Sequence, residues 1–486
     1  MRAEAIIPVA LWVLLEAAMS ASAADKVVTY PGPKGEPASE ACTVSAGGKD
    51  VFVYRARVRE TIEKIPKKLW THKLGGRTQW ASMAYFDFDG AVAVTVRPKR
   101  AFKTARVVPA SAGVKATVRD GAIRFTLDRP RQVTVLLDGR FAHPLHLFAN
   151  ALEADAPRAG DKNVVYFGPG VHKIKPLSLK SGQTLYVAGG AVVRGIIDPA
   201  EGGRLSKRTG LRSYGPLIAV HGARGVRIRG RGIIDGGLMP HPARTTIHVA
   251  DSSDVSIDGI IIRDSAAWAI CLSGSEKISV TNVKQVSGRL NSDGINPVNC
   301  RRVRIADCFI RNRDDSIAVK ATVPKKPCRD IRAERCVIWN DWGYALGITY
   351  ETRAPIGDVT FRDCDVIHSE HWALGVHVVD SATVGPVRFE NIRVEHAAGQ
   401  LIRLNIGKDM WATDKAAGHI KGVTIKDVSY VGPARPGSSI TGLDGGHRVE
   451  DVTIENLRVA GQPVADAKQG RFTVNAHTKN IRFKGN

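Results

Sequence analysis

Val303-Arg304-Ile305-Ala306-Asp307-Cys308, Val359-Thr360-Phe361-Arg362-Asp363-Cys364 and Val452-Thr453-Ile454-Glu455-Asn456-Leu457 are one phrase written three times: apolar, polar, apolar, polar, often Asp or Asn, then apolar, with Ala306 in one polar slot. The phrase begins at Val226, Val255, Ile278, Val303, Ile331, Val359, Val387, Val423, Val452 and Ile481, in steps of 29, 23, 25, 28, 28, 28, 36, 29 and 29 residues. Strict alternation predicts a strand with one face buried, and a fixed period of roughly 20–50 residues predicts a solenoid or a propeller. A period near 28 holds two or three short strands and leaves no room for a long helix, whereas a propeller blade needs about 40–50 residues. The leucine-rich phrase L-x-x-L-x-L-x-x-N, which shares this period, is absent. The expected unit is therefore one coil of a parallel β-helix, in which like positions stack about 4.8 Å apart. Cys308, Cys336 and Cys364 fall at one position of that coil and are expected to form an interior ladder of reduced thiols.

Upstream of the repeat the grammar changes. Between Asp25 and about Ala156, alternating runs such as Val92-Ala93-Val94-Thr95-Val96 and Val133-Thr134-Val135-Leu136-Leu137 are separated by Asp-Gly turns at Asp89-Gly90, Asp120-Gly121 and Asp138-Gly139. That pattern predicts a β-sandwich. The expected organisation is all-β: a signal peptide over 1–23, an N-terminal β-sandwich over 24–156 and a right-handed parallel β-helix over 157–486. Composition agrees, since 48 Gly and 24 Pro against 6% aromatics suit a chain of many tight turns.

The formal net charge is +23, which draws anions to the surface. No recognition helix, zinc-finger spacing or run of five basic residues accompanies it, so nucleic acid is not the expected partner. Arg2, the apolar run Ile6–Leu15 and Ala21-Ser22-Ala23 have the form of a signal peptide, although Glu4 and Glu16 interrupt it. Its removal would leave a secreted or periplasmic chain with a charge of +24. No later stretch approaches the ~18 apolar residues of a membrane span. The seven cysteines make no C-x-x-C pair with partner histidines, so neither a zinc site nor a dense disulfide framework is indicated, and the sequence as a whole implies no metal, no cofactor and no obligate protein partner.

If coils stack in register, residues at similar offsets from each repeat start share one outer strip. Trp268 lies 13 residues on, Asp293 15, Asp314 and Asp315 11 and 12, Tyr344 13, Trp372 13 and Arg403 16. Three carboxyls flanked by aromatic rings suit a sugar chain: ring faces cover the apolar faces of pyranoses, and paired carboxyls supply acid and base. Crowded carboxyls cannot all ionise freely, so one of them is expected to keep a proton near neutral pH. Lys320, His371, His377 and Arg403 are the candidate cations of this cleft.

The segments Asn291-Ser292-Asp293-Gly294 and Asn312-Arg313-Asp314-Asp315-Ser316 resemble the Asn-Thr-Asp and Asp-Asp motifs of the β-helical glycoside hydrolases, families 28 (polygalacturonases and relatives) and 49 (dextranase and isopullulanase). The resemblance covers about residues 160–480. It implies Asp314 as general acid, Asp293 and Asp315 as the pair that positions and deprotonates water, Asn291 beside the substrate, and inversion by single displacement. Family 28 carries a Gly-His one coil after the Asp pair, where this chain reads Trp342-Gly343-Tyr344, and its Arg-x-Lys is at best replaced by Gly375-Val376-His377. Cys364-Asp365-Val366-Ile367-His368 resembles a stretch of family 49, so the reading leans to that side.

Two other classes use the same strip. A β-helical polysaccharide lyase or epimerase would act on uronic acids with Tyr344 and His371 as proton-transfer groups and the Asp pair as calcium ligands. A non-catalytic carbohydrate-binding solenoid would use the aromatics alone. In every reading the partner is a polysaccharide or oligosaccharide, and the positive charge leaves an anionic one open beside a neutral one.

Overall fold

A computed structural model describes residues 26–59, 78–205, 212–434 and 436–485. The proposed signal peptide, 1–23, lies outside them. The described residues form two compact units, one made of those up to Gly32 with 37–55 and 82–154, the other of those within 33–36, 56–81 and 155–486. In the first, a six-stranded and a five-stranded sheet share one apolar cluster that includes Val44, Val94, Val96, Phe125, Val133, Val135 and Leu147.

The second unit is a parallel β-helix whose coils build three long sheets of 13, 12 and 11 strands. The repeat read from the sequence is the 13-stranded sheet, and its register is the one the spacing predicts. Val255 pairs with Ile278, Ile278 with Val303, Val303 with Ile331, Ile331 with Val359, Val359 with Val387, Val387 with Val423, Val423 with Val452 and Val452 with Ile481. All of these from Val255 to Val452 are buried, so the stacked apolar positions form the wall of a continuous core. Each fully buried Val or Ile contributes about 1.5–3 kcal/mol, which makes regular alternation the main cause of the fold.

The Asp or Asn of the phrase has its own reason. Asn282, Asp307, Asp363, Asn391, Asp427 and Asn456 all have φ between 51° and 57°, the left-handed turn that ends the first strand of each coil. Asx residues tolerate that conformation better than other side chains with a Cβ. The turns also stack: the Asn391 amide donates to the Asp363 carboxylate at 2.7 Å, and Asn456 donates to Asp427 at 2.7 Å. The residue after the turn then points inward, so Cys308, Cys336 and Cys364 lie fully buried in a column. None of the seven cysteines is in a disulfide, and burial pushes the Cys364 thiol well above its ordinary range.

The step of 36 residues between Val387 and Val423 breaks the rhythm. Its surplus is an insertion between the strand Gln400–Ile406 and the strand His419–Lys426. Among the described residues no helix is long and apolar enough to cross a membrane.

Candidate active site

The site is built at the bend between the second and third strands of successive coils. Asn291–Gly294 joins strand Lys284–Leu290 to Ile295–Val298, and one coil on Asp314–Ser316 joins Phe309–Arg313 to Ile317–Ala321. Beneath the bends runs an asparagine ladder. The Asn312 amide donates to the carbonyls of Ser292 (3.1 Å), Asp314 (2.9 Å) and Asp315 (2.8 Å), and Asn340, its partner in register, donates to the Asp314 carbonyl at 2.6 Å. The backbone carrying the Asp pair is thus held from inside the coil.

The three carboxyls converge as the spacing predicts: one oxygen each of Asp293, Asp314 and Asp315 lies within 4.8 Å of the others. Their surroundings differ. Asp315 is buried and accepts from the Tyr344 amide at 2.9 Å, the Thr349 hydroxyl at 2.7 Å and the Lys320 ammonium at 3.5 Å. Asp293 is buried, and one of its oxygens accepts from Asn296 at 3.0 Å while the other accepts from no described residue. Burial first, and then the Asp314 charge, push its pKa well up. Asp314 is the member of the trio with partial exposure. Burial and the neighbouring Asp315 raise it to about 7, against the pull of the backbone N–H groups of Asp315 (2.9 Å) and Asn291 (3.2 Å) and of Lys320. The cluster as a whole therefore retains a proton near neutrality.

Lys320 lies beside the trio, in contact with Asp315. Burial works against its charge, but Glu351 at 2.9 Å, Asp315 and Asp293 outweigh it and raise its pKa. Three carboxylates this close could hold a divalent cation; the Lys320 ammonium, 3.5 Å from Asp315, supplies positive charge beside them. Gly343 makes the approach from the next coil possible. It sits at φ +79°, and a Cβ there would lie 2.7 Å from Asp315 Oδ1.

Of the residues expected at the strip, Trp268, Asn291, Asp293, Asp314, Asp315, Lys320, His371 and Trp372 line one cavity of about 290 Å³. Tyr344, His377 and Arg403 stand behind the wall. Tyr344 is fully buried, stacks on Trp372 at 4.5 Å and accepts from Arg403 at 2.7 Å, while the Arg403 guanidinium lies 4.6 Å from the Trp372 ring centre. His377 packs on Tyr350 at 5.0 Å.

The expectation that His371 and His377 are cleft cations is corrected. Burial, with Arg403 nearby, lowers His371 to about 4, and burial with Arg403 and Lys320 lowers His377 to about 3. Both rings are neutral at pH 7. The sequence reading also missed Trp342, Tyr350, Glu351 and Trp411, all of which line the cavity. Tyr350 and Glu351 belong to Tyr344–Thr352, a nine-residue strand where its predecessor Ile317–Ala321 has five. Trp411 belongs to the insertion, and the 36-residue step was its one signal in the sequence.

The sequence profile of glycosyl hydrolases family 28 matches residues 218–477, more than half of the chain. A probable polygalacturonase of Vitis vinifera is 27% identical over 115 residues, which is 23% of this chain and 20% of that protein, so the match spans about a fifth of that relative's length. Among solved structures, a hyperthermoactive exopolygalacturonase from Thermotoga maritima superposes with a TM-score of 0.54 at 18% identity, covering 66% of this chain and 83% of its own. Dex49A from Penicillium minioluteum superposes with a TM-score of 0.64 at 15% identity, covering 94% and 96%. At these identities the likeness is one of fold.

Proposed function

The chain belongs to family 28 of the glycosyl hydrolases, and on that premise we propose that it hydrolyses a glycosidic bond of a polysaccharide or oligosaccharide at the Asp293, Asp314 and Asp315 cluster. The lean toward family 49 gives way to this membership, and Trp342-Gly343-Tyr344 is a departure inside the family. The observation that carries the proposal is Asp314: a carboxyl raised to about 7, opening on a cavity lined by tryptophans. A carboxylic acid that keeps its proton near neutral pH is what protonation of a leaving glycosidic oxygen requires.

In this reading the sugar chain lies across the aromatic rings and Asp314 gives its proton to the departing oxygen. Asp293 and Asp315 orient the attacking water and take its proton. Asp315 is fixed for that role by its three donors. The carboxyl oxygens within 4.8 Å are closer than the ~6.5–9.5 Å common among inverting enzymes, so single displacement rests on the family resemblance. Release of reducing ends from dextran, pullulan, polygalacturonate or a sulfated galactan, without ultraviolet-absorbing product, supports hydrolysis. An absorbing, unsaturated product would assign the site to the lyase class instead.

We also propose export from the cytoplasm, supported by the leader-like run before Ala23. N-terminal sequencing of exported protein should begin just after Ala23, and recovery of the intact chain in the cytoplasm alone would refute it.

A further inference from the structure

The insertion of the long coil carries a residue that the catalytic cluster does not use. Trp411 lines the catalytic cavity, and the segment around it is anchored unusually firmly. Asp380 is fully buried; one carboxylate oxygen accepts from the Thr413 (2.6 Å) and Asp414 (2.8 Å) amides, and the other accepts from the Thr352 amide at 3.1 Å. Asp414 in turn accepts from Arg353 at 2.9 Å and from the Ser381 hydroxyl at 2.6 Å. Lys408 donates to three carbonyls, those of Val379 (3.0 Å), Asp414 (2.8 Å) and Ala416 (2.6 Å). The Trp411 amide itself donates to Asp409 at 2.7 Å. Holding one indole at a cavity wall with this many bonds to a buried carboxylate and an ammonium is a means of presenting a rigid ring face.

The charges at this end of the cavity say what that face receives. Burial raises the Asp409 pKa, with Glu351 adding to the rise and Arg403 opposing it, so two carboxyls of this end lie within each other's field. Among the described residues the cavity wall holds one ammonium, Lys320, engaged with Glu351 and Asp315, against the carboxyls of Asp293, Asp314, Asp315 and Glu351; Arg403 lies behind the wall, donating to the Tyr344 hydroxyl and stacking on the Trp372 ring. His371, also on the wall, is neutral. A uronate placed against Trp411 would lose water and meet a wall whose carboxyls outnumber its ammonium, which is itself already paired with Glu351 and Asp315. An uncharged pyranose would stack on the indole and offer hydroxyls to the same carboxylates.

We propose that the Trp411 insertion builds a subsite for a neutral sugar unit, making Trp411 a specificity-determining residue and Asp380 its positioning residue. The proposal rests on the hydrolase reading only in taking the cavity as the substrate's, and binding measurements separate the two.

The test is calorimetric titration of the full chain and of Asp314→Asn, Trp411→Ala, Trp411→Phe and Glu351→Gln with isomaltotetraose, maltotetraose, galactotetraose and tetragalacturonate. At least one neutral tetrasaccharide should bind about tenfold or more tightly than tetragalacturonate. Trp411→Ala should weaken it by about tenfold or more, raising KM with little change in kcat, and Trp411→Phe should restore most of the loss. Asp380→Asn should raise KM in the same way, while Glu351→Gln should narrow the gap between neutral and charged probes. Tighter binding of tetragalacturonate than of every neutral probe, no binding of any neutral probe, or an unchanged KM and affinity in Trp411→Ala would each overturn it. If Asp314→Asn instead hydrolyses as the parent does, the catalytic assignment fails while the binding result stands.

Discussion

Two regions of the same β-helix stack charged side chains coil upon coil, with opposite results. On the outer face of the 13-stranded sheet, Glu334 is flanked by Arg304 and Arg362 from the coils on either side and by Arg335 beside it. Burial works against its charge, yet the three guanidiniums hold its carboxyl down to about 2. At the bend between the second and third strands, Asp293 stacks beside Asp314 and Asp315, so like meets like beside one ammonium, and Asp314 rises to about 7. The stacking geometry is shared, and the sign of the neighbour decides the outcome. A solenoid lets one substitution per coil set a column's electrostatics. The first column contributes to stability, and the second gives up stability to keep a proton available.

The largest break in that contrast should come from Asp314→Asn. It keeps the shape and removes the transferable proton, so turnover should fall by roughly 10²–10⁴ while glycan affinity changes little, read as kcat against Kd. Lys320→Met should come next. It leaves the buried Asp315 and the half-buried Glu351 without their cation, costing about 3–5 kcal/mol in denaturant unfolding, most of it from Asp315. Because Lys320 lowers the pKa of both Asp293 and Asp314, the folded fraction should lose activity only at higher pH than the parent does.

Glu334→Gln sharpens the comparison from the other side. Its loss from among three arginines should cost about 1–3 kcal/mol of stability and leave kcat unaltered. The smallest effect concerns pH and stability. An unfolded Asp titrates near ~3.9 and the folded Asp314 near about 7, so between those values the native chain holds a proton the unfolded chain has lost. Its contribution to stability is present below the lower value and is lost as pH rises through the upper one. Asp314→Asn should therefore raise Tm by a few degrees at pH 8 and leave it unchanged at pH 4, whereas equal shifts at both would deny the raised pKa.

The sequence carried the fold because the β-helix writes its geometry as a count. Val255, Ile278, Val303 and their successors are each one coil apart, and burial plus the left-handed Asx turn repeat at that interval. The Asp trio was legible for the same reason, since offsets from the repeat start are kept through the bend. Trp411, Tyr350 and Glu351 were not, because an insertion and an extended third strand have no constant offset. The neutral state of His371 and His377 was also hidden, because it depends on burial and on Arg403, from the coil beyond Trp372. Tyr344 fell behind the wall and Trp342 onto it because side chains change sides across the Gly343 turn.

The central claim is that stacked carboxyls keep a proton on Asp314 near neutral pH, and infrared difference spectroscopy reads that proton directly. Between pH 5 and pH 9 the parent protein should lose a protonated-carboxyl stretching band with a midpoint near 7, and Asp314→Asn should lack that band. A parent spectrum with no carboxyl band titrating above pH 5, or a band near 7 that survives in Asp314→Asn, would contradict the account.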